Sequence, residues 1–180
     1  MSAANPTRLP AASFPRAGRG FTLIELVLMI SIIGILAMLG VPERSVFQDA
    51  KLHAAARRMV SDIRYAQSRA VSTRAVHRVV FLPVEERYAV TSTDRTTAVT
   101  DPGDRGRALE MDYRRHAEFR GVSIQSASFG GTTEVAFDGR GVPRGASGAP
   151  LAGTGTVVLG YEGLSVTVDV APGTGLASIR

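Results

Sequence analysis

An α+β fold, with a long N-terminal helix lying on a mostly antiparallel β-sheet, is predicted by three features of the 180-residue sequence. An apolar run from Phe21 through Val41 carries a single charge, Glu25. Behind it Leu52, Ala56, Met59, Ile63, Ala66 and Ala70 recur at spacings of four and three, the mark of one apolar helical stripe. Past Arg74-Ala75 the period becomes strand-like, and glycine-marked turns separate the segments.

Residues 1 to 20 hold Arg8, Arg16 and Arg19, three prolines and no acid, and end in Gly18-Arg19-Gly20. This is a leader kept on the cytoplasmic side by its positive charge. Residues 21–42 follow as a membrane helix. From Phe21 to Val41 it is roughly 31 Å long, close to the hydrocarbon thickness of a bilayer. A carboxylate in such a helix costs about 2.5 to 3.5 kcal/mol at mid-membrane and less near an interface, so Glu25 needs a partner. Cleavage after Gly20 supplies one: the new amine on Phe21, with an unperturbed pKa of about 7.7 to 8.0, is largely protonated near neutrality. In a stack of staggered helices Glu25 of one subunit meets Phe21 of its neighbour. Pro42, which cannot donate to the helix and crowds the carbonyl of Met38, kinks or loosens it, and Gly34 and Gly40 weaken the same stretch.

Residues 43–75 continue as an amphipathic helix whose alanine-rich stripe suits close packing on a sheet. Lys51, Arg57, Arg58, Asp62, Arg64 and Arg69 form its polar side, with Arg58 and Asp62 spaced to pair across one turn. Residues 76–180 form the β domain. Val76 to Phe81 and Tyr88 to Thr91 are read as a hairpin, and Ser92 to Arg107 as a long exposed loop. Strands are expected near Leu109–Tyr113, Val122–Ser126, Thr133–Phe137, Thr156–Leu159 and Leu164–Val170, with a short edge at Leu176–Ile179. The turns fall at Gly130-Gly131, Asp138-Gly139-Arg140-Gly141, Gly145 to Gly155 and Gly160 to Gly163.

Gly20-Phe21-Thr22-Leu23-Ile24-Glu25 resembles the class III signal of type IV prepilins and type II secretion pseudopilins. The resemblance implies a type IV pilin-like fold, cleavage after Gly20 by a prepilin peptidase, methylation of Phe21, and a role for Glu25 in subunit addition. A cleaved secretory signal fits less well, because the run is too long and Ala37-Met38-Leu39 lacks the second small residue. An uncleaved anchor leaves Glu25 unexplained. The helix from Ala54 to Val71, the Val79-Val80-Phe81 strand, the run Val135-Ala136-Phe137-Asp138-Gly139-Arg140-Gly141-Val142-Pro143 and the closing pair of strands are similar to the GspH/FimT family of minor pseudopilins. That similarity implies a minor subunit near a filament tip.

Other chemistries find no support. With no cysteine, an exported domain has neither disulfides nor thiolate metal sites. His53, His77 and His116 are scattered, without the spacing of a zinc pair, and are expected at the surface or its boundary. Gly153-Thr154-Gly155 precedes a strand and lacks the third glycine of a dinucleotide loop. Asp101 and Asp104 offer calcium too few oxygens, and Ser147 lacks a hydrolase elbow. No enzyme, metal, cofactor or small-molecule substrate is expected.

Of the formal charge of +5 the leader carries +3, leaving +2 on residues 21 to 180, modest for a DNA binder despite a pI near 10.4. The first function implied is a minor pseudopilin of a type II secretion system. Its partners are prepilin peptidase, other pseudopilins and the bacterial inner membrane, with the N-terminus cytoplasmic and the C-terminal domain periplasmic. The second is a FimT-like minor pilin of type IV pili, acting in pilus biogenesis or DNA uptake. Arg105, Arg107, Arg114, Arg115 and Arg120 form a basic patch if they share a face, but Glu110, Asp112 and Glu118 are interleaved and the C-terminus keeps only Arg180, so nucleic acid is not the expected partner.

Overall fold

The computed structural model describes residues 20–39 and 44–180. They fall into two compact units, one holding helix α1 (Leu23–Leu39) and the other holding everything from Arg44 onward. Pro42 and its expected kink lie outside the described residues.

In the second unit helix α2 (Arg44–Thr73) packs on two antiparallel sheets. Its six stripe residues, Leu52, Ala56, Met59, Ile63, Ala66 and Ala70, are all fully buried. Ala55 and Val60 widen the buried face beyond the narrow stripe expected. The strands are β1 (His77–Leu82), β2 (Arg87–Thr91), β3 (Glu110–Asp112), β4 (Ser123–Ser128), β5 (Glu134–Phe137), β6 (Pro143–Arg144), β7 (Gly155–Tyr161), β8 (Leu164–Val170) and β9 (Ala177–Ile179). One sheet runs β3-β2-β1-β5-β6 and the other β4-β7-β8-β9, where the sequence suggested a single mostly antiparallel sheet.

The break comes at Gly130-Gly131. Both residues take positive φ, and Phe129 bridges Thr132 across them, so the chain leaves β4 in one sheet and enters β5 in the other. The β1–β2 hairpin turns through a short 3-10 segment, Pro83–Glu85, closed by Glu86 in the left-handed region. β7 and β8 meet in a two-residue loop, Glu162-Gly163, with positive φ at both positions, the geometry whose twist matches the flanking strands.

Alternation buries Val79 and Phe81 of β1, Tyr88 and Val90 of β2, Val157 and Leu159 of β7, and Val166, Val168 and Val170 of β8. Phe81 stacks on Phe129 at 5.4 Å and tilts against Tyr88 at 5.8 Å, and Tyr88 lies 6.1 Å from Tyr113. His77 is buried at the head of β1, opposite Phe137, and not at the surface or its boundary as expected, because it occupies an inward position of the β1 alternation.

The segment from Ser92 to Arg107 is more ordered than an exposed loop. Val99 donates its N–H to Val90 and accepts from Leu109, and its side chain packs on the core. Asp94 pins the turn by accepting from Thr97 and Thr96 N–H groups and from the hydroxyls of Ser92 and Thr97. The Thr97 hydroxyl and N–H hold its carboxyl at about 2.

Gln67 joins the sheets at one end of α2. Its amide donates to the carbonyls of Gly141 (2.8 Å) in the β5–β6 turn and Thr174 (2.6 Å) in the β8–β9 turn. Near the other end Lys51 donates to the Arg120 carbonyl (2.7 Å) and lies over the Tyr161 ring, 4.4 Å from its centroid.

Candidate functional site

Gly20, Phe21 and Thr22 precede α1 without regular structure, and Gly20 and Phe21 are both exposed. Thr22 starts the helix: its hydroxyl accepts from the Glu25 N–H (3.3 Å), and its carbonyl accepts from Glu25 (3.1 Å) and Leu26 (3.2 Å). Glu25 therefore stands at the third helical position, where a negative charge also offsets the unpaired N–H groups of the helix start. Thr22-Leu23-Ile24-Glu25 has the Thr-x-x-Glu pattern of a capping box, a local signal that lies within the stretch read as cleavage site and membrane span. Among the described residues no ion pair includes Glu25.

The rest of α1 is apolar on every side, and Leu23, Ile24, Ile30, Ile33 and Leu36 are all exposed. Ser31 returns its hydroxyl to the Val27 carbonyl at 2.7 Å, so this polar group is satisfied within the helix. Within the described residues α1 spans 17 residues and starts behind the Thr22 cap, while residues 40 and 41 of the apolar run lie outside them. Among the described residues no helix is long and apolar enough to cross a membrane.

In the second unit polar chemistry serves the architecture. Arg58 and Asp62 pair as their spacing predicts, at 3.1 Å. Asp62, however, is buried and not part of the solvated side, because the Tyr88 hydroxyl donates to it across the helix–sheet contact at 2.8 Å. Burial raises the Asp62 carboxyl above its ordinary value, against the opposing pull of Tyr88 and Arg58. Arg58 also reaches Asp101 at 3.3 Å. Asp101 and Asp104 each accept an N–H within their own turn, from Gly103 (2.7 Å) and Gly106 (3.2 Å). Among the described residues no group of three or more His, Asp or Glu side chains is placed to hold a metal ion.

Asp138 organises the Gly-rich turn. One carboxylate oxygen accepts from Arg140 N–H (2.9 Å) and Val142 N–H (3.0 Å), and the other from two guanidinium nitrogens of Arg144 (3.0 and 2.8 Å). Burial alone would raise this carboxyl, but Arg144 and the two N–H groups outweigh it and hold it below the ordinary value. A native pKa below the unfolded value of about 3.9 means the stabilisation is whole above that value and is lost as the pH falls through the native pKa. Asp138→Asn should therefore lower stability by about 1 kcal/mol near neutral pH and by progressively less at an acid pH that falls through the native pKa. Paired urea melts at the two pH values check this. A difference that stays constant with pH would contradict it.

Of the five candidate DNA-contacting arginines, Arg107, Arg114 and Arg115 stand among acids, while Arg105 and Arg120 are exposed. Arg115 lies 3.5 Å from Asp112, and Arg114 donates to the Val84 carbonyl at 2.7 Å. Arg107 borders a depression shared with Glu110, Asp112 and His116, while Glu110 is paired with Arg87 at 2.8 Å. Glu110 and Asp112 interleave with Arg107, Arg114 and Arg115 in space as they do in sequence.

A capped, exposed apolar helix and a second helix laid on antiparallel sheets define the class, an α+β protein. The chain belongs to the GspH family, described as type II transport protein GspH, which it matches over residues 55–174. The match takes in most of α2 and the strands through β8, while Gly20 to Glu25 precede it and β9 follows it. The fold is also similar to crystal structures of the type IV minor pilin FimU of Pseudomonas aeruginosa strain PAO1 in two crystal forms. One is 16% identical, with a TM-score of 0.47 over 73% of this chain and 88% of that one. The other is 14% identical, with a TM-score of 0.47 over 72% and 92%. No curated protein sequence matches the chain.

Proposed function

We propose that the chain is a minor pseudopilin of a type II protein secretion system, cut after Gly20 by prepilin peptidase, methylated on Phe21, and added near the tip of a periplasmic pseudopilus. One observation carries this: α1 is apolar all round except for Glu25, and it heads a chain whose second unit belongs to the GspH family. An uncovered helix of that kind needs lipid before assembly and other apolar helices after it. The apolar run continues to Val41, so residues 21–42 serve first as the inner-membrane anchor and then as the assembly helix, with Pro42 as the kink. Residues 1–20 are the cytoplasmic leader, and residues 43–75 and 76–180 form the periplasmic part.

Exposure of Gly20 and Phe21 on a stretch without regular structure suits entry of that bond into a peptidase. Once cut, the Phe21 amine of one subunit neutralises Glu25 of the next, and cleavage switches assembly on. The role is structural, and no step calls for catalysis or a cofactor.

The second possibility, a FimT-like minor pilin, shares the helix, the processing and the family. Deleting the gene in its host separates the two. A pseudopilin's loss leaves secreted proteins in the periplasm with surface pili intact. Loss of pili with secretion unaffected would contradict the type II assignment and favour the pilus.

A further inference from the structure

One flank of α2 carries Arg57, Ser61, Arg64 and Ser68, at spacings of four, three and four. Two depressions lie along it and share Arg64. One, of 480 Å³, lies between α2 and β9, bounded by Arg57, Val60, Ser61, Arg64, Ser178 and Ile179. The other, of 540 Å³, continues past Gln67 and Ser68 to Arg140 and the Gly173-Thr174 turn.

Three features mark its chemistry. Among the described residues its charges are all positive: Arg57, Arg64 and Arg140 border the depressions and no carboxylate does. Among the described residues Arg57 and Arg64 join no ion pair, and Arg140 meets Asp138 only at 3.9 Å while remaining 80% exposed. Between the arginines the walls are small or apolar, with seryl hydroxyls on the helix and Val60 and Ile179 at the base.

The third feature is a sheet edge. β9 ends the four-stranded sheet and pairs on one side only, with β8. Arg180 and Thr167 exchange backbone hydrogen bonds (2.8 and 3.3 Å), and Ala171 donates to Leu176 (3.0 Å), so by the antiparallel alternation Ala177 and Ile179 turn their backbone groups away from β8. Arg64 takes the Ala177 carbonyl at 2.8 Å. Partly exposed Ile179 leaves an N–H and a carbonyl for another strand.

We propose that this flank docks an extended acidic segment of a partner protein, laid beside β9 with its carboxylates on Arg57, Arg64 and Arg140. Charge complementarity calls for an anion. The Val60 and Ile179 contacts and the open backbone edge call for a peptide over a nucleic acid, whose phosphates would use the arginines alone. β9 lies beyond the span matched by the family, and the proposal stands whether or not the chain enters a filament.

The test uses the full chain in detergent micelles and a fluorescent heptapeptide of alternating glutamate and valine, read by anisotropy. Saturable binding is expected, at least about tenfold tighter than for the same peptide with lysine in place of glutamate. The double variant Arg57→Glu, Arg140→Glu should weaken it about tenfold, and Arg69→Glu, which borders neither depression, by less than about twofold. Methylating alternate peptide nitrogens should weaken binding several-fold. Circular dichroism melts of the variants confirm that they fold. Absence of saturable binding, equal binding of the methylated peptide, or tighter binding of an oligothymidylate would overturn the proposal.

Discussion

With Glu25 replaced by alanine, the chain is expected to be cut after Gly20 as usual, to remain in the membrane, and to be lost from assembled filaments. The cause is an unbalanced charge. Packed among apolar helices, the protonated Phe21 amine of the neighbouring subunit would be left without its carboxylate, and breaking a buried pair in this way costs about 3 to 5 kcal/mol. That corresponds to at least a hundredfold loss of incorporation. A competing role for Glu25 is visible at the helix start, where its N–H is held by the Thr22 hydroxyl and its charge meets the helix dipole. Loss of that role alone costs only about 0.3 to 1 kcal/mol. Glu25→Gln keeps the capping box and removes the charge, and the helix-dipole contribution it also loses stays within that smaller cost. Filament-bound and free chain, separated by sedimentation after cross-linking, give the measure. Normal incorporation of the glutamine variant would sink the charge-pairing mechanism.

The second large effect belongs to the core. A methyl group on Gly155 would stand 2.2 and 2.5 Å from two ring carbons of Phe129, which is fully buried and stacked on Phe81. Neither ring can withdraw without disturbing the aromatic cluster that joins the two sheets. Gly155→Ala is therefore expected to cost about 3 kcal/mol, the upper end for overpacking. Two residues earlier, Gly153 has nothing within 4 Å of the same position and no left-handed backbone. Gly153→Ala should change stability by less than about 0.5 kcal/mol. Urea unfolding of the two variants side by side decides the matter, and equal midpoints would show that Phe129 is not held as described.

The contrast between these glycines marks how far the sequence could be read. Both stand in Gly153-Thr154-Gly155, legible as a turn before a strand, yet only the fold brings Phe129 against one and not the other. The α2 stripe was legible because helical burial repeats locally, and all six residues are buried. Asp62 was not, since its partner Tyr88 lies 26 positions away and a spacing of four to Arg58 fits a solvated pair equally well. Strand positions could be read from alternation and glycine turns. Strand partners could not, because period two is the same in either sheet, and β6 at two residues has no period at all. Gly20, Phe21 and Glu25 stood out by chemistry, as one acid in an apolar run behind a basic leader. The Thr22 cap shares its residues with that signal, and its pattern is purely local.

The mass of the N-terminal peptide of the chain isolated from its host's membranes tests the central claim most directly. A chain beginning at methylated Phe21 is the predicted result, since both the assembly helix and the charge pairing depend on the amine that cleavage creates. A chain that still carries residues 1 to 20 would contradict it, leaving a permanent anchor in which Glu25 stands in the first turn of a helix and has no cation to meet.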